Sequence, residues 1–444
     1  MTSKRIEPRT LKGFRDYLPD AMARREALID KAKAVYRSFG FAPIDTPALE
    51  YAEILLGKGS EETDKQTYRF ADNGGRDVAL RFDLTVPFAR FVAQHLNEIG
   101  TPFKRYHIGS VWRGENTQRG RYREFMQCDF DIIGTDSVYA DVEIALVINR
   151  LFESLGVDRF TIHLNNRKVL NGLLEAQGLA GQATAVLRAL DKLAKIGADK
   201  VVEEMMATAG ASEAQARSVV GLADVKGSNS EVLESLRPLV GGSALGVAGI
   251  EALSTMVNAL EHAGVPNQRV RLDLAVARGL DYYTGTVFET FLDDLPTIGS
   301  CCSGGRYDNL ASLYTSQVLP GVGASLGLDR LLAALEELKV DSPGAWSNAV
   351  LIVLFDAARY QDYLKLANDL RQQGITVEVY PEAKKLGVQL KYADRRGHRL
   401  AVILGDAEWQ SGKAQLKDLR TNQASEVALS DLPATCSRIL ANPV

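Results

Sequence analysis

Charged, aromatic and apolar side chains alternate along residues 119–134, RGRYREFMQCDFDIIG. Successive side chains of an extended strand point to opposite faces, so the alternation divides this segment into two faces. One face is apolar and carries Met126, Cys128, Phe130 and Ile132. The other carries, in order, Arg121, Arg123, Phe125, Gln127, Asp129 and Asp131. An ordinary half-buried strand shows a loose mixture of polar residues to water, so this ordered set predicts a ligand-binding face.

The arginines of this region predict a site for an anion. A guanidinium is a planar fork that matches phosphate or carboxylate and keeps its charge. Arg113 ends one strand and Arg121 begins the next, and the short charged loop GENTQRG joins them. If the two strands pair as a hairpin, their guanidiniums converge at one end of a sheet. The alternative is a salt-bridged sheet surface, in which acidic neighbours such as Glu115, Glu124 and Asp129 neutralise the arginines.

The neighbours of the arginines indicate what the anion belongs to. Phe125 offers a flat ring on which a purine can stack, and Gln127 with a nearby carboxylate can accept a small ammonium group. Arg330 lies in the first turn of the helix that follows GVGASLG, residues 321–327, and can point at the same site. The alternative for Arg330 is a solvated position on that helix. Together these residues predict a site that holds a nucleotide and an amino acid side by side.

Several other kinds of site are excluded. The sequence has no GxxxxGK[ST] phosphate loop, and GVGASLG has the spacing GxGxxxG without the βαβ context of a dinucleotide site. Its glycines instead favour a strand that passes close to a ligand or a partner. The five histidines match no metal-ligand spacing, and no Ser-His-Asp or Cys-His arrangement is present. The predicted chemistry therefore depends on positioning and fixed positive charge rather than on a side-chain nucleophile.

The elements that must position these residues form an α+β body. Strands are predicted over 105–113 and 121–133, and a helix over 137–155 that begins at Ser137. Residues 165–265 are rich in Ala and Leu and predict a helical insertion, after which strand-like segments return.

A different pattern begins after the linker-like residues 340–348, VDSPGAWSN. The short apolar runs AVLIVLF, TVEVY and LAVILG alternate there with helical stretches. This order predicts a small α/β domain with a parallel or mixed sheet.

Composition sets broad limits. A chain of 444 residues is long enough for two or three domains, and a net charge of -4 neither implies nor excludes a nucleic-acid partner. The four cysteines form no CxxC pair, which favours thiols in a reducing cytoplasm. The first twenty residues contain no apolar core of a signal peptide, and no run of about 18 apolar residues exists to span a membrane. A cytoplasmic protein is therefore expected.

Several segments carry a resemblance to a known family. Residues 105–134 resemble motif 2 of class II aminoacyl-tRNA synthetases, and residues 320–335, PGVGASLGLDRLLAAL, resemble motif 3. ARGLDYYTGTVFE (277–289) and SGGRYDNL (303–310) are similar to the two histidine-specific signatures of the histidyl-tRNA synthetase family. The segments LKGFRDYLP and LRFDLTVPFAR fit the same family. The resemblance extends over nearly the whole chain and is weakest in the helical insertion.

The resemblance implies a division into domains. The class II catalytic domain, with its antiparallel sheet, would occupy residues 1–164 and 266–338. The helical insertion would occupy residues 165–265, with tRNA contact as its implied role. An α/β anticodon-binding domain would occupy residues 345–444. Enzymes of this family are homodimers, so the resemblance also implies a homodimer.

For the nucleotide, the resemblance implies one role for each residue. Arg113 would hold the α-phosphate of ATP, Glu115 the adenine amino group, and Phe125 would stack on the adenine. Arg121 would lie near phosphate, and Arg330 would clamp the far phosphates. Arg278 would stand beside the α-phosphate and, with Arg113, act as a catalytic residue by neutralising charge during the attack on phosphorus. Mg²⁺ would arrive with ATP.

For the amino acid, the resemblance implies a pocket specific for L-histidine. Asp83, Thr85 and Gln127 would take the α-ammonium group. Tyr283 and Asp131 would recognise the imidazole, and Tyr307 would close the pocket. Many family members carry Glu at the positions of Asp83 and Asp131, so the shorter carboxylates of this chain predict a repacked pocket. Arg123 and Asp129 receive no role and are expected to brace the others.

The implied reaction has two steps. Histidine and ATP form histidyl-adenylate and pyrophosphate, and histidine then passes to the 3′ end of tRNA(His). The loop GENTQRG would read the acceptor end. A basic run in the C-terminal domain predicts a phosphate-contacting surface, although such runs are commonly solvated helix faces. This run comprises Lys384, Lys385, Lys391, Arg395, Arg396 and Arg399.

Three alternatives fit the sequence less well. The regulatory subunit of ATP phosphoribosyltransferase shares the catalytic body but typically lacks the C-terminal domain and parts of RGLDYYTG, both of which are present here. The synthetase-like domain of a regulatory kinase would need a kinase domain, and no Gly-rich-loop, VAIK or HRD text occurs. A structural α/β protein would leave the alignment of Arg113, Phe125, Gln127 and Arg330 a coincidence.

Overall fold

A computed structural model of the chain describes residues 6–57, 61–190, 192–276, 282–340 and 348–441. It divides into two compact units. The first comprises Met1–Arg15 and Leu28–Val340, and the second comprises Asp16–Ala27 and Asp341–Val444. Among the described residues, every helix is too short or too polar to cross a lipid bilayer.

The first unit is built on an eight-stranded sheet. The strands of this unit, which form that sheet and a smaller one, are in chain order β1 Ala42–Pro43, β2 Leu49–Tyr51, β3 Arg69–Ala71, β4 Asp77–Leu80, β5 Phe103–Trp112, β6 Glu124–Ile133, β7 Phe160–Asn166, β8 Val270–Leu272, β9 Thr286–Leu292, β10 Cys302–Tyr307 and β11 Gly321–Gly327. The order in the large sheet is β1-β5-β6-β11-β10-β9-β7-β8, and β2-β4-β3 form a smaller sheet. All pairs in the large sheet are antiparallel except β1–β5 and β7–β8. The predicted α+β class with an antiparallel sheet is confirmed.

The helices outside the C-terminal part of the chain are α1 Pro19–Ser38, α2 Ala52–Leu55, α3 Glu61–Gln66, α4 Thr85–Ile99, α5 Val138–Ser154, α6 Arg167–Ala176, α7 Ala183–Leu190, α8 Leu193–Ile196, α9 Ala198–Ala209, α10 Glu213–Gly221, α11 Asn229–Leu239, α12 Ala244–His262 and α13 Leu328–Glu337. The predicted start of α5 is confirmed, because the Ser137 side chain accepts a hydrogen bond from the Tyr139 amide at 3.3 Å. Helices α6 to α12 follow one another in the segment predicted as the insertion. Its boundaries as a domain stay a prediction.

The hairpin β5–β6 confirms the two faces of the opening segment. Cys128 and Phe130 are fully buried, and Ile132 is nearly so. Burial of an apolar side chain of this size stabilises the fold by about 1.5–3 kcal/mol. The alternation holds only inside the strand: Arg121 and Arg123 precede β6, so the prediction that they begin the strand is wrong. They lie instead in the loop between the paired strands.

The second unit contains a mixed sheet, as predicted. Its strands are β12 Ala349–Ile352, β13 Thr376–Val379, β14 Leu400–Ile403, β15 Lys413–Asp418 and β16 Ala424–Ala428, and its helices are α14 Tyr360–Gln372, α15 Leu386–Arg396, α16 Asp406–Ser411 and α17 Leu432–Ala441. The order is β13-β12-β14-β15-β16. The first three strands are parallel, and the last two pairings are antiparallel.

One member of the basic run is misassigned by the sequence. Arg399 is only 4% exposed, and its guanidinium lies 2.8 Å from the Asp418 carboxylate. It immediately precedes β14, where its side chain points into the fold. The prediction that Arg399 contacts phosphate is therefore wrong. Lys384, Lys385 and Lys391 are exposed, as is Arg395, whereas Arg396 is half-buried.

Candidate active site

Two adjoining cavities of the first unit lie along the polar face of β6. Their volumes are about 740 and about 600 Å³. Both are lined by Arg113, Gln127, Ser303 and Ser325, so they form one continuous cleft. The amino-acid half is defined here as the larger cavity, and the nucleotide half as the smaller.

All six residues predicted to bind histidine line the amino-acid half: Asp83, Thr85, Gln127, Asp131, Tyr283 and Tyr307. The Tyr307 hydroxyl donates a 2.6 Å hydrogen bond to Asp131 Oδ1. Asp131 lies flat over the neighbouring strand β11, where a Cβ at Gly323 would lie 2.0 Å from the same oxygen. Gly323, the middle glycine of GVGASLG, is therefore required because a carboxylate approaches it closely. Burial raises the pKa of Asp131, and Arg105 opposes this shift.

Asp83 and Thr85 are placed by the start of helix α4. Asp83 Oδ1 accepts a hydrogen bond from the Val86 amide at 3.0 Å, and Oδ2 accepts one from the Tyr282 hydroxyl at 3.2 Å. Burial raises the pKa of Asp83, although these donors and the charge of Arg113 oppose the shift. The carboxylate is thus held in a fixed orientation at the wall of the cleft.

All five residues predicted to bind ATP line the nucleotide half: Arg113, Glu115, Arg121, Phe125 and Arg330. The Arg113 guanidinium lies 4.3 Å from the ring centre of Phe82 and 5.0 Å from that of Phe125. Its Nε donates to the Phe82 carbonyl at 3.1 Å. Burial lowers the pKa of Arg113, with Asp83 opposing, yet an arginine stays charged in a protein. A fixed cation therefore lies where the two halves meet.

The other two arginines, Arg121 and Arg330, lie at the edge of the nucleotide half. The side chain of Arg121 is 43% exposed, and its Nη1 lies 3.8 Å from Glu115 Oε2. Arg330 is half-buried in the first turn of α13 and donates to the Ser300 carbonyl, so it is not a solvated helix residue. The alternative hypothesis, a salt-bridged sheet surface, explains little of this cleft. It assigned Asp129 to the arginines of the site, whereas Asp129 lies 3.8 Å from another cation, Arg105.

Arg278, the second predicted catalytic residue, lies outside the described residues.

The structure also shows the contacts of Arg123 and Asp129, the two residues expected to brace the others. Arg123 donates from Nε to the Glu115 carbonyl at 3.2 Å, which holds the loop as predicted. Asp129, by contrast, lines the amino-acid half of the cleft.

The lining residues that sequence reasoning missed include Asp129, Tyr282 and Ser325. Period-two alternation already placed Asp129 on the polar face, which was a usable signal. Tyr282 adjoins the predicted Tyr283, but only the fold directs its hydroxyl to Asp83. Ser325 accepts a 2.9 Å hydrogen bond from Gln127 Nε2, a contact that depends on the register of β6 with β11. No sequence spacing predicts that register.

Comparison with known proteins identifies the family of the chain. The family model for histidyl-tRNA synthetase matches residues 13–331, and the model for the anticodon binding domain matches residues 348–439. The chain belongs to the histidyl-tRNA synthetase family. This confirms the family predicted from the sequence motifs.

Individual relatives cover 90% or more of the chain. A histidine–tRNA ligase of Rhodopirellula baltica is 59% identical over 96% of both chains. A solved histidyl-tRNA synthetase from Nostoc superposes with a TM-score of 0.88 at 36% identity, covering 98% of this chain and 100% of its own. A Bacillus halodurans structure, described as an ATP phosphoribosyltransferase regulatory subunit/histidyl-tRNA synthetase, has a TM-score of 0.76 at 24% identity over 90% of this chain and 100% of its own. At that identity it shows the shared fold alone.

Proposed function

We propose that this protein is an aminoacyl-tRNA ligase that activates L-histidine with ATP and transfers it to the 3′ end of tRNA(His). The observation that carries the proposal is the continuous cleft along β6, whose two halves hold the eleven described residues predicted for the amino acid and for ATP. The ligase relatives, which match nearly the full length of the chain, support the same reaction.

In the activation step, a histidine carboxylate oxygen attacks the α-phosphorus of ATP. A new O–P bond forms, the bond between the α-phosphorus and the bridging oxygen breaks, and pyrophosphate leaves. Arg113 lies at the junction of the two halves, where the carboxylate and the α-phosphate would meet. Its charge would stabilise the negative charge that develops on the transferring group. Arg278 is proposed to act beside it.

The amino-acid half would supply specificity. Asp83, Thr85 and Gln127 would accept or orient the α-ammonium group, which fits a buried carboxylate and amide at the cleft wall. Asp131 and the tyrosines Tyr283 and Tyr307 would recognise the imidazole. A wrong side chain would leave these buried polar groups unpaired, which costs far more than a simple loss of contact.

The nucleotide half would hold ATP by stacking and charge. The adenine would stack on Phe125 and donate its amino group to Glu115, while Arg121 and Arg330 would contact the phosphates. Mg²⁺ accepts hard oxygen donors and keeps several waters. The carboxylate of Glu289, which lines the cleft, is a donor of this kind. When bound, the ion would neutralise part of the phosphate charge.

The transfer step involves the tRNA. The second unit is proposed to recognise the anticodon as the domain 345–444, with the exposed lysines of the basic run as phosphate contacts. The segment 165–265 is proposed to contact the tRNA as a helical insertion domain. The protein is proposed to act in the cytoplasm as a homodimer. Size-exclusion chromatography of the purified protein would test the dimer.

The deciding experiment is amino-acid-dependent exchange of pyrophosphate into ATP, measured with each of the twenty amino acids. Histidine is expected to support exchange and the others are not. Folded protein that shows no histidine-dependent exchange would contradict the proposal.

In a second experiment, a chain that ends at residue 344 is compared with the full chain. Adenylation is expected to persist while charging of tRNA falls, and unchanged charging would mean that the second unit has another role.

A further inference from the structure

A fully buried cation lies beneath the amino-acid half of the cleft. The Arg105 side chain has no exposed surface, and its Nη2 lies 2.7 Å from Asp131 Oδ2 and 3.8 Å from Asp129 Oδ2. It also donates to the Leu84 carbonyl at 3.2 Å and lies over the Phe88 ring at 4.4 Å. A ligand in the cleft has no route to this guanidinium. Any effect of Arg105 on binding must therefore pass through its partners, the two carboxylates and the Leu84 carbonyl.

Strand register explains this grouping. Arg105 is the direct cross-strand partner of Asp131 in the β5–β6 hairpin. On the opposite side of β6, Gly323 is the partner of Asp131 and Ser325 is the partner of Asp129. The two carboxylates thus lie side by side between a guanidinium and a strand with small side chains. Opposite charges on directly facing residues stabilise a strand pair.

One oxygen of each carboxylate is buried without a hydrogen-bond donor. Among the described residues, Asp129 Oδ1 and Asp131 Oδ2 have no hydrogen-bond donor, although both are buried. The contact of Asp131 Oδ2 with Arg105 is an ion pair whose angle does not suit a hydrogen bond. Buried acceptors without a donor are costly, so they indicate a donor that arrives with a ligand. Both residues line the amino-acid half.

We infer that the imidazole of histidine is recognised by a carboxylate pair, Asp129 and Asp131, and that Arg105 is the positioning residue that holds this pair from below. This inference rests on the proposed function. Arg105 compensates the charge of two adjacent carboxylates, so that they can remain ionised as acceptors. It also fixes Asp131 from one side through Oδ2, while Tyr307 holds Oδ1 from the other.

The predicted consequence is a selective loss of amino-acid binding. Without Arg105, two adjacent buried carboxylates would repel each other and take up a proton, which removes an acceptor. Binding of the imidazole would weaken, whereas ATP is bound by residues in the other half of the cleft. A purely structural role would instead affect both substrates alike.

The test uses pyrophosphate exchange with the full-length protein and two substitutions at Arg105. For Arg105→Met, the KM for histidine and the inhibition constant of histidinol, which keeps the imidazole, are expected to rise about tenfold or more, while the KM for ATP changes less than threefold. This rise corresponds to about 1.4 kcal/mol of lost binding. Arg105→Lys restores the charge and is expected to recover part of the loss. Equal rises for histidine and ATP would overturn the positioning role.

Two further variants keep the inference open to failure if Arg105→Met does not fold. Asp129→Asn conserves shape and is expected to raise the KM for histidine about tenfold, since a charged acceptor forms a stronger hydrogen bond than a neutral one. An unchanged KM would exclude Asp129 from the pair. Arg399→Met is the matched control, because it removes an equally buried and paired arginine from the second unit. It is expected to lower thermal stability without a change in either KM.

Failure of the inference is distinguishable from failure of the proposed function. A native protein that shows no histidine-dependent exchange contradicts the function itself. A native protein with normal exchange, together with folded Arg105→Met and Asp129→Asn variants of unchanged KM for histidine, overturns only the carboxylate pair and its positioning residue.

Discussion

The two halves of the cleft are constructed differently. In the amino-acid half, Asp129 and Asp131 belong to a central strand and are 2% and 3% exposed. In the nucleotide half, Arg121 belongs to a loop, and its side chain is 43% exposed. The carboxylates of the amino-acid half are thus buried within the sheet, whereas Arg121 of the nucleotide half lies at its edge.

The difference teaches how each half obtains its binding energy. Buried polar groups in the amino-acid half are oriented before the ligand arrives, as the Tyr307–Asp131 hydrogen bond shows. Under the proposed function they would discriminate between amino acids, because an unsuitable ligand would leave them unpaired. The cations of the nucleotide half would act through charge, which tolerates exposure and mobility better than directed hydrogen bonds do. Substitutions in the two halves should therefore affect different kinetic constants.

The junction between the halves is expected to be the most sensitive place. Arg113→Ala removes the fixed charge there, and the kcat of histidine-dependent exchange is expected to fall about 10²- to 10³-fold, the range for loss of one preorganised electrostatic group. Arg119→Ala is the matched control, because Arg119 lies in the same loop but its side chain is 61% exposed and pairs with Glu337. Its exchange rate should stay within about twofold of the native rate, as for most exposed ion pairs. Similar losses in both variants would mean that the loop, rather than Arg113, is responsible.

In the amino-acid half, Asp131→Asn is expected to raise the KM for histidine about 10- to 100-fold, because a charged acceptor becomes a neutral amide. The KM for ATP should remain nearly constant. Steady-state exchange kinetics with each substrate varied in turn would measure both constants. A rise confined to ATP would contradict the division of the cleft into halves.

In the nucleotide half, Phe125→Ala is expected to raise the KM for ATP about tenfold, since stacking of a base on an aromatic ring is worth about 1–3 kcal/mol. The KM for histidine should change little. Phe125→Tyr keeps a ring for stacking and serves as the control. If GTP replaced ATP equally well in the alanine variant but not in the native protein, base selection as well as affinity would depend on this ring.

The smallest expected effect is a pH dependence of stability. Burial raises the pKa of Asp129 to about 7, with Arg105 opposing the shift. Between its ordinary value of about 3.9 and this value, the folded protein holds a proton that the unfolded chain has released, so stability falls as pH rises. The free energy of unfolding of the native protein, relative to Asp129→Asn, should decline by at most about 1 kcal/mol per pH unit from pH 5 to 7.

Chemical denaturation at three pH values would measure this decline. Saturating histidine is expected to reduce it, because a donor to the carboxylate favours its ionised form. Parallel curves for the two proteins, with and without histidine, would show that Asp129 does not titrate in this range.

Much of this site could be predicted from the sequence. The alternation along 124–133 assigned Phe125, Gln127 and Asp131 to one face, because period two is a property of any extended strand. The motifs carried the family, and with it the identity of the residues in both halves. The prediction failed at Arg121 and Arg123, where the chain leaves the strand before the alternation of residue types ends.

What the sequence by itself determined was residue types, local periodicity and family membership. Only the tertiary structure decided which residues face one another across strands: Arg105 opposite Asp131, Gly323 beneath its carboxylate, and Asp418 beside the buried Arg399. Local patterning depends on a few neighbouring residues, whereas strand register and burial depend on contacts between distant parts of the chain. For that reason the sequence predicted a surface position for Arg399, and it gave no indication that Arg105 belongs to the site.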